Sequence, residues 1–173
     1  MSDQAEDKSI FDALDFQRPP HPYPGLRPFE KDEWLIFFGR EESIDNVVGR
    51  LIADQFVTVH GDSGCGKSSL VRAGVLPRLE HECVRGGARW QTASMLPRSA
   101  PLGNLARALA ELVVANDGTA SEHEIRRILN LGESAAKPLS KFLNLDANNQ
   151  LCVLVDQFEE LFQYALGPCP AFC

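Results

Sequence analysis

A chain of 173 residues, 44% of them hydrophobic, can bury one core and fits the size of a single domain. Its net charge of −7 argues against non-specific binding to nucleic acid or to an anionic membrane, since both would need a basic face. The five cysteines lack paired C-x-x-C spacing, which suits a reducing compartment. The sequence also shows no leader-like segment and no apolar run long enough to span a membrane, so a cytoplasmic location is predicted.

The first part of the chain is acidic and then rich in proline. Residues 1–21 are predicted to be a flexible acidic tail. Five prolines between Arg18 and Phe29 exclude a helix there, so this stretch is expected to be extended or turned and to pack along a surface.

A helix, a strand and a second helix are predicted next. Apolar residues at helical spacing predict a helix from Ser43 to Ala53. The β-rich run from Phe56 to His60 predicts a strand, and the apolar face of residues 69–76 predicts a helix that Pro77 should kink or close.

The loop between that strand and helix carries the strongest motif. It matches G-x-x-x-x-G-K-[ST], in which glycines let backbone N–H groups surround phosphate oxygens at a helix N-terminus. Lys67 is predicted to bind the β- and γ-phosphates, and Ser68 to bind Mg²⁺. A glycine-rich turn with an incidental lysine is the alternative. The predicted nucleotide contacts in this loop are Gly61, Asp62, Ser63, Gly64, Cys65, Gly66, Lys67, Ser68 and Ser69.

The second half of the chain alternates strands and helices. Residues 88–95 are predicted to form a strand, and helices are predicted at 102–115, 121–131 and 137–145. Pro101 suits the start of the first of these, while Ser121 and Glu124 form the capping box of the second.

The apolar run Leu151–Val155 predicts a strand buried on both faces of a parallel sheet. Asp156 follows it, at the strand end where open α/β sheets bind ligands, and is therefore a candidate for Mg²⁺ opposite Ser68. Glu159 or Glu160 could polarise the attacking water, with Glu160 preferred. The alternative is that these acids only cap a helix or form its solvated first turn.

Several separated motifs together resemble the novel STAND class of P-loop NTPases over residues 22–164. The resemblance implies a three-layer α/β/α P-loop domain of the ASCE type with a parallel sheet. It also implies ATP binding and slow hydrolysis coupled to oligomerisation, in bacterial signalling or defence. The matching segments are Pro22-Tyr23-Pro24-Gly25-Leu26-Arg27-Pro28-Phe29, Phe37-Phe38-Gly39-Arg40-Glu41, the loop from Gly61 continued to Pro77, and Val155-Asp156-Gln157-Phe158-Glu159-Glu160-Leu161-Phe162.

The same resemblance places Gly39, Arg40 and Glu41 near the adenine and ribose, whereas the residues alone indicate only a charge pair at a helix start. No guanine-reading N-K-x-D element is present in the sequence, which favours adenine.

In the related fold, the strand between the loop strand and the Asp156 strand comes later in sequence. The sheet is therefore expected to be incomplete at its C-terminal side, with residues 165–173 an irregular tail and the chain a truncated copy or a fragment. No arginine or sensor residue for hydrolysis can be assigned, so ATP binding with weak or no hydrolysis is expected.

Two other functions stay open. One is a nucleotide-independent regulatory or scaffolding fragment that pairs with a full-length relative. The other is a small-molecule or nucleic-acid kinase. Such a kinase would need a lid with clustered arginines, and the sequence offers only Arg126 and Arg127 as candidates.

Overall fold

The computed structural model describes residues 24–25, 27–81, 87–116 and 118–165. The predicted tails lie outside these ranges, except for Ala165. The described elements are a 3₁₀ helix at Lys31–Ile36, α1 at Glu41–Asp54, α2 formed by the consecutive segments Lys67–Ser69, Leu70–Val75 and Leu76–His81, β1 at Arg89–Met95, α3 at Pro101–Ala115, α4 at Glu122–Leu129, a 3₁₀ turn at Gly132–Ala135, α5 at Ala136–Phe142, β2 at Asn149–Val155 and α6 at Glu160–Ala165.

The two described strands form a parallel sheet. Their register runs from Arg89 opposite Asn149 to Met95 opposite Val155, with three helices in the crossover between them. The Asp156 N–H donates to the Met95 carbonyl at 3.0 Å. This bond extends the pairing one residue past β2 and fixes the backbone of Asp156.

Helices pack against both faces of this sheet, because successive strand residues point to opposite sides. Ala93 and Met95 face α3 and α4, where they join a buried cluster with Leu109 and Ile125. On the other face, Trp90 packs against a cluster formed by α1 and α2. The described chain is thus a mixed α/β structure, and within it no helix combines the length and hydropathy needed to cross a bilayer.

Most of the predicted elements are confirmed, with ends shifted by a few residues. The capping box of α4 is present, since the Glu124 N–H donates to the Ser121 hydroxyl and the Ser121 N–H donates to the Glu124 carboxylate. Pro101 occupies the first turn of α3.

Pro77 was predicted to kink or close the helix, and the closing alternative is wrong, because α2 continues through it to His81. The segment just before it, Leu70–Val75, is a π-helix, in which the Leu76 N–H donates to the Val71 carbonyl five residues earlier. This wider turn accommodates a residue that lacks an N–H and whose ring would crowd the preceding turn of a regular α-helix.

The predicted strand at Phe56–His60 is also wrong for the described residues, which give this segment no strand partner. Phe56 is 70% exposed. A strand is stabilised by hydrogen bonds to the N–H and C=O groups of a neighbouring strand. One edge of β2 pairs with β1, and no described segment pairs with the other edge of β2. For the same reason β2 is half-buried along its whole length, not buried on both faces as predicted.

Candidate functional site

The loop before α2 is open to solvent and depends on glycine. Gly64 and Gly66 have φ values of 79° and 85°, a region that side-chain-bearing residues rarely adopt. Gly66 is the N-cap residue of α2, and its carbonyl accepts from the Leu70 N–H at 2.8 Å. The loop therefore turns directly into the helix, whose first N–H groups and positive dipole end lie beside it.

Lys67 lies across this loop. Its ammonium donates to the carbonyls of Gly61 and Asp62, each at 2.8 Å. These contacts keep one full positive charge at the mouth of the glycine loop, which suits an anionic ligand.

Ser68 and Asp156 meet, although 88 positions separate them in sequence. The Ser68 hydroxyl lies 3.1 Å from Oδ1 of Asp156, and the Gln157 N–H donates to the same oxygen at 3.0 Å. A hydroxyl and a carboxylate are oxygen ligands of the kind Mg²⁺ prefers. The described residues contain no cluster of three or more metal-ligating side chains. A site with a single carboxylate suits a metal that takes its other ligands from phosphate oxygens.

Arg72 is a third member of this group that the sequence predictions did not include. Its Nη2 donates to Oδ2 of Asp156 at 2.8 Å, and the two side chains are only 19% and 15% exposed. It lies four residues after Ser68 in the same helix, so the i, i+4 spacing was the signal that could have found it.

The two predicted catalytic glutamates follow Asp156 closely, in the turn after β2 and at the start of α6. Glu159 is exposed in the turn after β2. Glu160 accepts from the Arg98 N–H at 2.8 Å and so ties the start of α6 to the loop after β1. Their catalytic role stays a prediction.

The predicted base-side residues lie at the start of α1. Glu41 accepts from the Gly39 N–H at 3.0 Å, and this hydrogen bond lowers the pKa of the Glu41 carboxyl. Arg40 precedes the helix, and a Cβ added to Gly66 would lie 4.0 Å from its Nη1. The structure thus brings Arg40 to the glycine loop and holds Glu41 on its own helix start.

Residues 27–36, which we call the strap, run along α2 beside the site. The Phe29 N–H donates to the Ser69 hydroxyl at 3.1 Å, and Glu30 pairs with Arg72 at 2.6 Å. Further along, Lys31 pairs with Glu80 at 2.6 Å. The strap therefore contacts two residues next to the Ser68–Asp156 pair.

The strap is also ordered internally. The Nη1 and Nη2 atoms of Arg27 each donate to Glu33 at 2.6 Å, and the Glu30 N–H donates to the same carboxylate at 2.8 Å. The Arg27 hydrogen bonds, followed by the Glu30 N–H, lower the pKa of Glu33 to about 2.

A known sequence family covers most of this chain. The sequence model of the Novel STAND NTPase 1 family matches residues 22–169. The chain belongs to the Novel STAND NTPase 1 family. The chain is also similar to the aliphatic sulfonates import ATP-binding protein SsuB 3 of Pseudomonas syringae pv. tomato, with 36% identity over 74 residues. That match covers 42% of this chain and spans 27% of the relative's length, and no solved structure matches.

Cys65 in the loop of this Novel STAND NTPase 1 chain can report ligand binding through its reactivity. The thiol of Cys65 is free and exposed, so it is expected to react with an alkylating reagent. If the loop binds nucleotide, ATP and Mg²⁺ at ten times the Kd should slow alkylation of Cys65 by about tenfold, which peptide mass spectrometry can measure.

Cys152 is the internal control for that experiment. Burial, with a smaller contribution from the Glu80 charge, raises the pKa of its thiol to about 11, so little thiolate forms at neutral pH. It should stay unlabelled with or without nucleotide. Equal labelling rates of Cys65 in the two conditions would contradict binding at the loop.

Proposed function

We propose that this NTPase domain binds Mg-ATP at the loop 61–68, as the switch module of a cytoplasmic signalling or defence protein of the ASCE P-loop type. The observation that carries the proposal is the 3.1 Å contact between Ser68 and Asp156. The two predicted magnesium ligands are 88 positions apart in the sequence, and only the fold brings them together.

Each group of the site has a role in this proposal. The loop N–H groups and Lys67 bind phosphate, and Ser68 and Asp156 hold Mg²⁺. A bound Mg²⁺ supplies charge neutralisation at the phosphates. Arg40 beside the loop, together with Gly39 and Glu41, is assigned to the base side by the family resemblance.

We propose weak or no hydrolysis for this chain. Phosphoryl transfer needs extra positive charge in the transition state and an oriented water. Among the described residues, Arg72 is held by Asp156 and Glu30, and Glu160 is held by the Arg98 N–H. These contacts support a site that binds nucleotide more readily than it turns it over.

The test is calorimetric titration of the chain with ATP in Mg²⁺ buffer. A Lys67→Ala variant should lose at least about tenfold in affinity, because charge-assisted hydrogen bonds to phosphate are lost. Lys141→Ala, which removes an exposed lysine in α5, is the matched control and should bind as the wild type does. Equal affinities for the wild type and the Lys67 variant would refute the proposal.

A second candidate function is that of a nucleotide-independent fragment that pairs with a longer relative. It is favoured by the segment 56–60, which lacks a strand partner among the described residues, and by the half-buried β2. Exposed strand edges are sites of pairing with another chain. Recovery of the chain only as a hetero-complex, without ATP affinity, would favour this function. A nucleotide-binding monomer would favour the first.

A further inference from the structure

Asp156 is bound from two sides by different kinds of groups. Its Oδ1 accepts from two neutral donors, the Ser68 hydroxyl and the Gln157 N–H. Its Oδ2 accepts from the guanidinium of Arg72 at 2.8 Å. The carboxylate proposed to hold Mg²⁺ therefore already has a cation of the chain itself as its partner.

Arg72 in turn lies between two carboxylates. Its Nη1 donates to Glu30 of the strap at 2.6 Å, while its Nη2 donates to Asp156. It belongs to the π-helical segment Leu70–Val75, where the wider turn alters the direction of side chains relative to a regular α-helix. Arg72 and Asp156 are both mostly buried, whereas Glu30 is 49% exposed.

Given the nucleotide site proposed above, we infer that Arg72 is an internal cation that competes with Mg²⁺ for Asp156, and that Glu30 of the strap weakens this competition. Arg72 thereby lowers the metal affinity of the site, and the strap adjusts it.

The charge effect outweighs any positioning effect of Arg72. The carboxylate of Asp156 is already oriented at Oδ1 by Ser68 and the Gln157 N–H, so its rotamer is fixed without the guanidinium. A positive charge on the opposite oxygen opposes a second, divalent cation on the same group, with little solvent screening at such low exposure. Removal of Arg72 therefore strengthens metal binding.

Glu30 acts with the opposite sign. Its carboxylate lies against the far side of the guanidinium and partly cancels the Arg72 charge felt at Asp156. Loss of the Glu30 charge leaves Arg72 uncompensated and weakens metal binding. Anything that pulls the strap away from α2 has the same effect, which makes residues 27–36 a control element for the metal site.

The experiment is a Mg²⁺ titration of the chain with a fluorescent ATP analogue, with bound fluorescence as the signal. Arg72→Met should lower the half-saturating Mg²⁺ concentration by about tenfold. Glu30→Gln should raise it by about threefold, since its charge is farther away and half-exposed. Both shifts in the half-saturating Mg²⁺ concentration should become smaller in high salt, and the shift for Glu30→Gln should decrease more than the shift for Arg72→Met.

Glu122→Gln is the matched control, because it makes the same change in another partly exposed carboxylate, which pairs with Arg107 between α4 and α3 and not with the strap. It should leave the Mg²⁺ dependence unchanged. Glu30→Gln is a conservative surface change, so it tests the inference even if circular dichroism shows that the Arg72 variant does not fold.

Shifts in the same direction for the Arg72 and Glu30 variants, or an unmoved Glu30 variant, would overturn the inference alone. A higher Mg²⁺ requirement in Arg72→Met would instead identify Arg72 as a positioning residue. A wild-type chain that binds no nucleotide at any Mg²⁺ concentration would overturn the proposed function together with this inference.

Discussion

A Gly74→Val variant is expected to unfold at a markedly lower temperature than the wild type. Gly74 is buried in α2 where α1 crosses it, and a Cβ there would lie 2.7 Å from both Cγ1 and Cδ1 of Ile44 and 3.5 Å from the Phe37 ring. Valine adds two further methyl groups to this contact. Overpacking of this kind should cost about 3 kcal/mol, which lowers Tm by roughly 6–12 °C for a domain of this size.

Gly49→Val in α1 is the matched control, because the same residue type is replaced in a helix where a Cβ would meet nothing within 4 Å. It should change Tm by only a few degrees. Adding Ile44→Ala to Gly74→Val should recover part of the loss, since it removes the atoms that clash. Equal melting of the two valine variants would contradict close packing at Gly74.

The local elements of the site could be predicted from the sequence because their signals are local. The glycine loop is a contiguous motif, and the helical periodicity after it is independent of the rest of the fold. The Ser68–Asp156 contact was predictable as well, since acids after a parallel strand lie at the edge where such sheets bind ligands.

The strand at 56–60 could not be predicted correctly, because its composition is β-rich whether or not a neighbour is present. Strand formation depends on a partner far along the chain, and no described segment supplies one. The continuation of α2 through Pro77 was missed for a related reason, since a π-helical segment has no clear signature in sequence.

The position of Arg72 near the site was predictable from the sequence, but its ion pairs were not. The i, i+4 spacing puts Arg72 near Ser68, but an arginine in a helix usually points to solvent. Its pairing with Asp156 and Glu30 depends on how β2 and the strap are packed against α2. Such contacts need the tertiary structure.

An Asp156→Asn variant is expected to bind ATP without any strengthening by Mg²⁺ and to be less stable than the wild type. Asparagine keeps the shape and can still accept from Ser68, but it removes the one carboxylate that meets Ser68. It also leaves the mostly buried Arg72 with Glu30 as its remaining carboxylate partner. Loss of one member of such a pair should cost about 2 kcal/mol, less than for a fully buried pair.

Asp45→Asn is the matched control for that variant, since it makes the same change in an exposed pair. Asp45 accepts from Arg78 at 3.0 Å with both side chains about half in solvent. That change should cost less than about 1 kcal/mol and leave Mg²⁺ dependence intact. Chemical unfolding gives the stability of each variant, and ATP titrations in Mg²⁺ and in chelator give the metal dependence. If Asp156→Asn still bound ATP more tightly with Mg²⁺, the metal would be held elsewhere, and the pairing of Ser68 with Asp156 would be a structural contact only.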